Sequence, residues 1–241
     1  MKAVYNNILD SVSKSEKLLA VLIDPDKMAI EMASDFIHKV NLSVASHIFI
    51  GGSTVDDDAT ETLVLEIKKH TSLPVVLFPG DVTQLTNHAD ALLFLSLISG
   101  TNSEYLIGKH IEAVSMLRSS SLEVIPTGYL LIENGKQTSV EKVTKTKPLS
   151  RQNVQLIVDT ARAGELLGMQ LIYLEAGSGA LHPVSIEIIK QAKQELNIPL
   201  IVGGGIRSKE QLEAAYNAGA DVVVIGTAFE DDESFFDELK K

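Results

Sequence analysis

Carboxylates, hydroxyls and glycines stand at the ends of short apolar runs, in an order that suits phosphate chemistry. One run ends in Asp24-Pro25-Asp26-Lys27 and the next in Gly51-Gly52-Ser53-Thr54. Asp24 and Ser53 are hard oxygen donors, of the kind Mg²⁺ takes when it keeps several waters and draws the rest of its shell from substrate phosphates. The Asp-Pro pair alone also reads as an ordinary turn. Later runs end in Tyr173-Leu174-Glu175-Ala176-Gly177-Ser178-Gly179, Gly203-Gly204-Gly205-Ile206-Arg207-Ser208 and Gly226-Thr227. Glycine-rich turns that lead into helix starts expose backbone N–H groups and let a phosphate approach closely. Tight turns alone account for one such stretch more readily than for three. Arg207 reads equally as a phosphate contact and as an exposed side chain at a helix start. Glu175 falls between the metal-suited and phosphate-suited sides, where a carboxylate serves as general base toward a hydroxyl or as a partner for a neighbouring loop. The six histidines show no metal-ligand pairing.

These groups must be positioned by the runs that precede them. Eight apolar or β-branched runs, 19–24, 47–50, 74–78, 91–95, 123–127, 171–175, 200–203 and 222–225, are bounded by Gly, Pro or Asp, as strands buried on both faces are. Helical spacing of apolar residues fills 30–40, 59–70, 104–118, 153–167, 184–196 and 209–218, with Pro183 and Ser208 placed as helix starts. Eight units of about 30 residues predict a single α/β domain over residues 1–241, a (β/α)₈ TIM barrel whose active site lies at the C-terminal strand ends. A doubly wound open sheet is the competing fold. Between the third and fourth runs only Asp81–Asp90 is available, less than the dozen residues a crossover usually needs, which predicts a shortened or missing third helix. That gap exposes apolar surface for a ligand or partner. The polar stretch 133–150 reads as a solvated loop, with a lid as the second reading.

Composition narrows the function classes. The chain has 241 residues, 45% hydrophobic and 22% charged, with a net charge of −11 and no cysteine. A net acidic chain lacks the cationic face that nonspecific nucleic-acid binding requires. Without cysteine there is no disulfide, thiolate metal site or cysteine nucleophile. The N-terminal stretch is too polar for a signal peptide and no apolar run reaches about 18 residues, so the expected location is cytoplasmic.

Together these residues resemble the geranylgeranylglyceryl phosphate synthase family of barrel prenyltransferases. The likeness runs through LIDPDK (22–27), FIGGST (49–54), PVVLFPG (74–80), the GKH of YLIGKHIEA (105–113), PTGYLLI (126–132), YLEAGSGA (173–180), GGGIRS (203–208) and IGTAFE (225–230). GGGIR and IGT recur in many phosphate-binding barrels; YLEAGSG with IDPDK and GGST is specific. The resemblance implies transfer of a geranylgeranyl group from its diphosphate to the 3-hydroxyl of sn-glycerol-1-phosphate, or the same reaction with a longer prenyl diphosphate. It implies Mg²⁺ on Asp24 and Ser53. It implies glycerol-1-phosphate contacts from Tyr173, Leu174, Glu175, Ala176, Gly177, Ser178, Gly179, Gly204, Gly205, Gly226 and Thr227. Glu175 matches the base, Tyr129 and Tyr173 the tyrosines near the reacting centre, and Tyr105 the bulky position that limits prenyl length. One branch has Lys two residues before the metal Asp; Leu22 stands there, which favours the second branch. The resemblance also implies a homo-oligomer, dimer or hexamer, with at most peripheral membrane contact. A sugar-phosphate isomerase would want an acid or base at the end of the fifth strand, where Thr127-Gly128 falls, and a Schiff-base aldolase a lysine where Glu175 stands. A non-catalytic phosphate-binding protein is the remaining class.

Overall fold

The computed structural model describes residues 3–56 and 58–241. Eight parallel strands, β1 (Leu18–Ile23), β2 (Ala45–Ile50), β3 (Val75–Leu77), β4 (Ala91–Leu97), β5 (Glu123–Leu131), β6 (Leu171–Glu175), β7 (Leu200–Gly203) and β8 (Val222–Ile225), pair in chain order. β8 pairs back onto β1, with Leu18 opposite Val222 and Val21 opposite Ile225. That closure makes the sheet a barrel and excludes the open doubly wound alternative.

Strand alternation divides the core in two. Ala20, Phe49, Val76, Leu93, Ile125, Tyr173 and Ile201 fill the barrel interior, while Val21, Ile48, Leu77, Leu92, Ile172 and Val202 pack outward under the helices. The covering helices include α2 (Ile30–Leu42), α3 (Ala59–Ile67), α4 (Lys109–Leu117), α6 (Val154–Leu166), α7 (Ile186–Glu195) and α8 (Lys209–Ala218). Ser208 caps α8 by accepting from the Gln211 N–H. α7 starts later than Val184, because Ser185 is its cap and accepts from the Ile188 N–H.

Three features depart from the sequence reading. Helix α1 (Ala3–Ser13) closes the N-terminal end of the barrel, where Val4 and Ile8 join the interior cluster. The Glu123 carboxylate accepts from the N–H groups of Val4 (2.7 Å) and Tyr5 (3.0 Å), placing negative charge at the positive end of that helix. β5 runs on to Leu131, four residues beyond the expected boundary. Gly128 does not end it: a Cβ there would meet Ile172 Cδ1 and Ile98 Cδ1 at 2.9 Å, so this glycine serves close packing. Finally, 133–150 is a solvated loop only in part, although more than half of its residues are exposed. It folds into α5 (Ser139–Thr144), capped by Thr138 through the Glu141 N–H, and buries Asn134, Thr138, Thr144 and Thr146. The chain ends with two short helices, α9 (Thr227–Asp231) and α10 (Phe235–Glu238), which tuck Phe229, Phe235 and Phe236 under α2.

Between β3 and β4 there is no α-helix, only a 3₁₀ turn, Val82–Gln84. The buried Gln84 ties that turn to the β2 turn: its Oε1 accepts from the N–H groups of Gly52 (3.3 Å) and Gly80 (3.2 Å), and its Nε2 donates to the Gly52 carbonyl (2.9 Å). The two turns touch backbone to backbone, since a Cβ on Gly51 would fall 1.8 Å from the Phe78 carbonyl oxygen. Missing helix and tight β2 turn are thus one packing solution.

Candidate active site

A cavity of about 280 Å³ starts at the C-terminal mouth of the barrel and extends out through the flank that the absent helix leaves open. Its mouth carries Asp24, Ser53, Tyr129, Tyr173, Glu175, Gly177, Ser178, Gly179, Gly204, Gly205, Gly226 and Thr227. Its flank is largely apolar, with Val82, Leu85, Leu92, Phe94, Tyr105, Ala113, Val140 and Val143, and is also lined by Asp81, Lys109 and His110. A polar head and a long apolar tail fit such a shape together.

Glu175 ends β6 at the junction of the two halves and is 5% exposed. Its Oε1 accepts from the Gly177 N–H at 2.5 Å. Burial raises its pKa to about 7, against the opposing pull of the Gly177 N–H and the Tyr173 hydroxyl. That hydroxyl faces the carboxylate but makes no hydrogen bond of full geometry within the protein. Gly203 permits this proximity, because a Cβ there would lie 2.4 Å from the Tyr173 hydroxyl and 2.9 Å from Glu175 Oε2. Tyr129 and Tyr173 are themselves held neutral, their pKa values driven up first by burial and then by the Glu175 charge. Phe78 completes the wall, stacked on Tyr173 at 5.2 Å and tilted against Tyr129 at 5.9 Å, while the two tyrosines meet edge to face at 5.4 Å.

On one side of Glu175 lie the glycine turns. Gly177, Gly179, Gly204 and Gly205 all take positive φ. At Gly204 the requirement is double, since a Cβ would fall 2.5 Å from Glu175 Oε1 and 2.6 Å from the Gly177 nitrogen. Gly204→Val is therefore expected to raise the KM of a phosphate-bearing substrate and, by displacing Glu175, to lower turnover as well; steady-state kinetics reads both. Ser178 Oγ and Thr227 Oγ1 face each other at 3.2 Å across this side. Arg207 lines the cavity with its guanidinium paired to Asp231 at 2.9 Å.

Asp24 and Ser53 lie on the other side. Asp24 accepts from the Asp26 N–H at 3.2 Å, and Lys27 places its ammonium 3.5 Å from Asp24 Oδ2 and 2.9 Å from Glu230 Oε2. A Cβ on Gly52 would come within 2.9 Å of Asp24 Oδ1, so glycine lets the β2 turn carry Ser53 up to this carboxylate. Among the described residues no three His, Cys, Asp or Glu side chains are grouped so as to hold a metal ion by themselves. One carboxylate, one hydroxyl and open space suit a cation that completes its shell with water and phosphate.

Two residues of the expected substrate set do not line the cavity. Strand alternation turns Leu174 and Ala176 outward into the barrel–helix core. The Ala176 N–H donates to the Gly203 carbonyl, and its own carbonyl accepts from Asn134 Nδ2, so its backbone is engaged too. Their place in the YLEAGSG motif is structural. Conversely, Phe78, Gln84 and Glu230 lie in or near quoted motifs but carried no expected role, because each acts on a residue far away in sequence.

The profile of the PcrB family matches residues 11–241. The chain belongs to the PcrB family. It is 57% identical over 230 residues to the geranylgeranylglyceryl phosphate synthase of Zunongwangia profunda, covering 94% of this chain and 98% of that one. It is 52% identical over 237 residues to the enzyme of that name from Flavobacterium johnsoniae, covering 98% of each. The crystal structure of (S)-3-O-geranylgeranylglyceryl phosphate synthase from Thermoplasma acidophilum, in complex with its substrate sn-glycerol-1-phosphate, superposes with a TM-score of 0.92 at 32% identity, covering 99% of this chain and 96% of that one. This PcrB-family chain thus keeps its relatives' fold over nearly its whole length.

Proposed function

We propose that this PcrB-family protein is a Mg²⁺-dependent prenyltransferase that joins geranylgeranyl diphosphate to the 3-hydroxyl of sn-glycerol-1-phosphate, releasing diphosphate. The observation that carries this is the single cavity in which one buried carboxylate, poised to change protonation at neutral pH, divides glycine phosphate turns from an apolar channel. Incubation with sn-glycerol-1-phosphate, geranylgeranyl diphosphate and Mg²⁺ should yield an ether lipid detectable by mass spectrometry. Formation of no prenyl ether from any prenyl diphosphate would overturn the reading.

In this mechanism the glycine turns hold the phosphate so that the glycerol 3-hydroxyl faces Glu175. Glu175 takes the hydroxyl proton as the oxygen bonds to C1 of the prenyl chain and the C1–diphosphate bond breaks. Phe78, Tyr129 and Tyr173 surround the carbon that gains positive charge; their faces attract it and their bulk excludes water. Asp24 and Ser53 would hold Mg²⁺, which when bound offsets the charge building on the departing diphosphate. Orientation of this kind contributes up to about 7–11 kcal/mol.

A C20 limit on the tail would rest on Tyr105. Tyr105 stands in a π-helical turn, Glu104–Gly108, and its ring lines the channel. Tyr105→Ala is expected to open a cavity that further isoprene units fill. Product length from a mixture of C20 and longer diphosphates reads this; an unchanged C20 preference in the folded variant would refute a length-limiting Tyr105.

Assembly and location belong to the same reading. Ile107 in the π turn and Ile111 and Val114 on α4 leave exposed apolar surface, a face that a second copy would cover in a homo-oligomer. Among the described residues no helix is long and apolar enough to cross a membrane. Work in the cytoplasm suits a cysteine-free chain acting on charged, water-soluble glycerol phosphate.

A further inference from the structure

Lys109, in the Gly108-Lys109-His110 motif, has no part in the chemistry above, yet three carboxylates surround it. Its Nζ lies 3.0 Å from Asp81 Oδ2, 3.1 Å from Glu112 Oε2 and 3.5 Å from Glu104 Oε1. Glu104 and Glu112 belong to the same helical stretch as Lys109. Asp81 does not: it is the cap of the 3₁₀ turn after β3, across the gap that the missing helix leaves. Both Lys109 and Asp81 line the channel, together with Val82, Phe94 and Ala113.

The π-helical turn explains how one short stretch serves both sides of this wall. A π turn adds a residue to the helix and rotates the residues C-terminal to it, a local cost that usually marks a functional position. Here it sends the Tyr105 ring into the channel and, four residues later, the Lys109 ammonium across to Asp81. The Glu104 carboxylate folds back over Gly108, where a Cβ would fall 2.7 Å from Glu104 Oε2, and so reaches the same ammonium. Asp81 first and Glu112 second hold the Lys109 ammonium charged well beyond the usual lysine range.

We infer that the Lys109–Asp81 ion pair is a clasp that replaces the absent third helix as the outer wall of the prenyl channel, and that Lys109 is a positioning residue for prenyl-chain length. This rests on the prenyltransferase reading. The clasp sets the distance between the β3 turn and the helix that carries Tyr105, and hence the width of the channel beside its floor. It touches neither the glycine turns nor Glu175.

Lys109→Met and Asp81→Asn each break the span, whereas Glu112→Gln removes only a partner on Lys109's own helix. With the wild type, these variants and the Lys109→Met/Asp81→Asn double variant are given sn-glycerol-1-phosphate, Mg²⁺ and an equimolar mixture of C20 and longer prenyl diphosphates, and products are resolved by mass. Each span-breaking variant should raise the ratio of longer to C20 product about two- to fivefold, the range expected for a partly exposed ion pair. The double variant should go no further than either single one, Lys109→Arg should restore the wild-type ratio, and the KM for sn-glycerol-1-phosphate should stay unchanged throughout. Melting curves confirm that each protein is folded. An unchanged ratio in folded Lys109→Met and Asp81→Asn, or an equal shift in Glu112→Gln, would overturn the clasp. A wild type that makes no prenyl ether would instead overturn the function on which it rests.

Discussion

Glu175→Gln is expected to keep sn-glycerol-1-phosphate bound and to slow turnover by about 10²–10⁴-fold, the usual contribution of a positioned general base. The change is isosteric. The amide oxygen still accepts from the Gly177 N–H, so the glycine turn proposed for phosphate keeps its anchor. What is lost is the capacity to take a proton. Burial lifts the wild-type carboxyl to about 7, so the base is ionised only in part at neutral pH and turnover of the wild type should rise with pH along a limb centred there. The variant should lack that limb. Equal losses in binding and turnover would mark Glu175 as structural.

The same carboxyl makes a second, independent mark on the folded state. Its pKa is 4.5 unfolded and about 7 folded, so between these values the folded chain holds more proton than the unfolded one. Its contribution to stability therefore falls as pH rises through that window and is least above it. Melting temperatures of wild type and Glu175→Gln should diverge in the variant's favour from pH 5 toward pH 8, without any substrate present.

Much of this architecture is legible in the chain because buried parallel strands leave a local trace. β6, β7 and β8 begin and end where their apolar runs do; Pro199 and Gly204 bound β7, Asp221 and Gly226 bound β8, and polar Gln170 precedes β6. The missing third helix shows as simple arithmetic in the ten residues from Asp81 to Asp90. β5 is harder to bound because Gly128 looks like a breaker while Ile98 and Ile172 press on that glycine from elsewhere in the fold. The segment 133–150 looks like solvent-exposed loop because its buried residues are Asn and Thr. They are buried by hydrogen bonds such as Asn102 Nδ2 to the Thr144 carbonyl, not by an apolar stripe. The site divides the same way. Asp24, Ser53, Glu175 and the glycines stand at strand ends and can be placed by counting. Phe78 acts on Tyr129 and Tyr173 inside the barrel mouth, Gln84 on the β2 turn and Lys109 on Asp81 across the gap between β3 and α4, and no local pattern announces contacts of that kind.

Asp24→Asn should abolish most activity at low Mg²⁺ and lose more than the roughly 10–100-fold in cation affinity that removal of even an outer-shell partner costs. The fold should survive. Asp24 sits at the mouth, with its side chain 23% exposed, and an amide oxygen in its place still accepts from the Asp26 N–H. Lys27 keeps its 2.9 Å contact with Glu230, so it stays tethered. The variant removes a negative charge from the point where Gly52 brings Ser53 alongside, and Ser53 alone is a neutral, weak donor. Titration of turnover with Mg²⁺, together with direct binding of Mn²⁺ followed by paramagnetic resonance, separates lost affinity from lost chemistry. Raising Mg²⁺ should recover part of the Asp24→Asn activity and none of the Glu175→Gln activity, because only the first variant is short of cation. Near wild-type turnover by Asp24→Asn at low Mg²⁺ would remove Asp24 from the metal position and leave its pairing with Lys27 as its whole role.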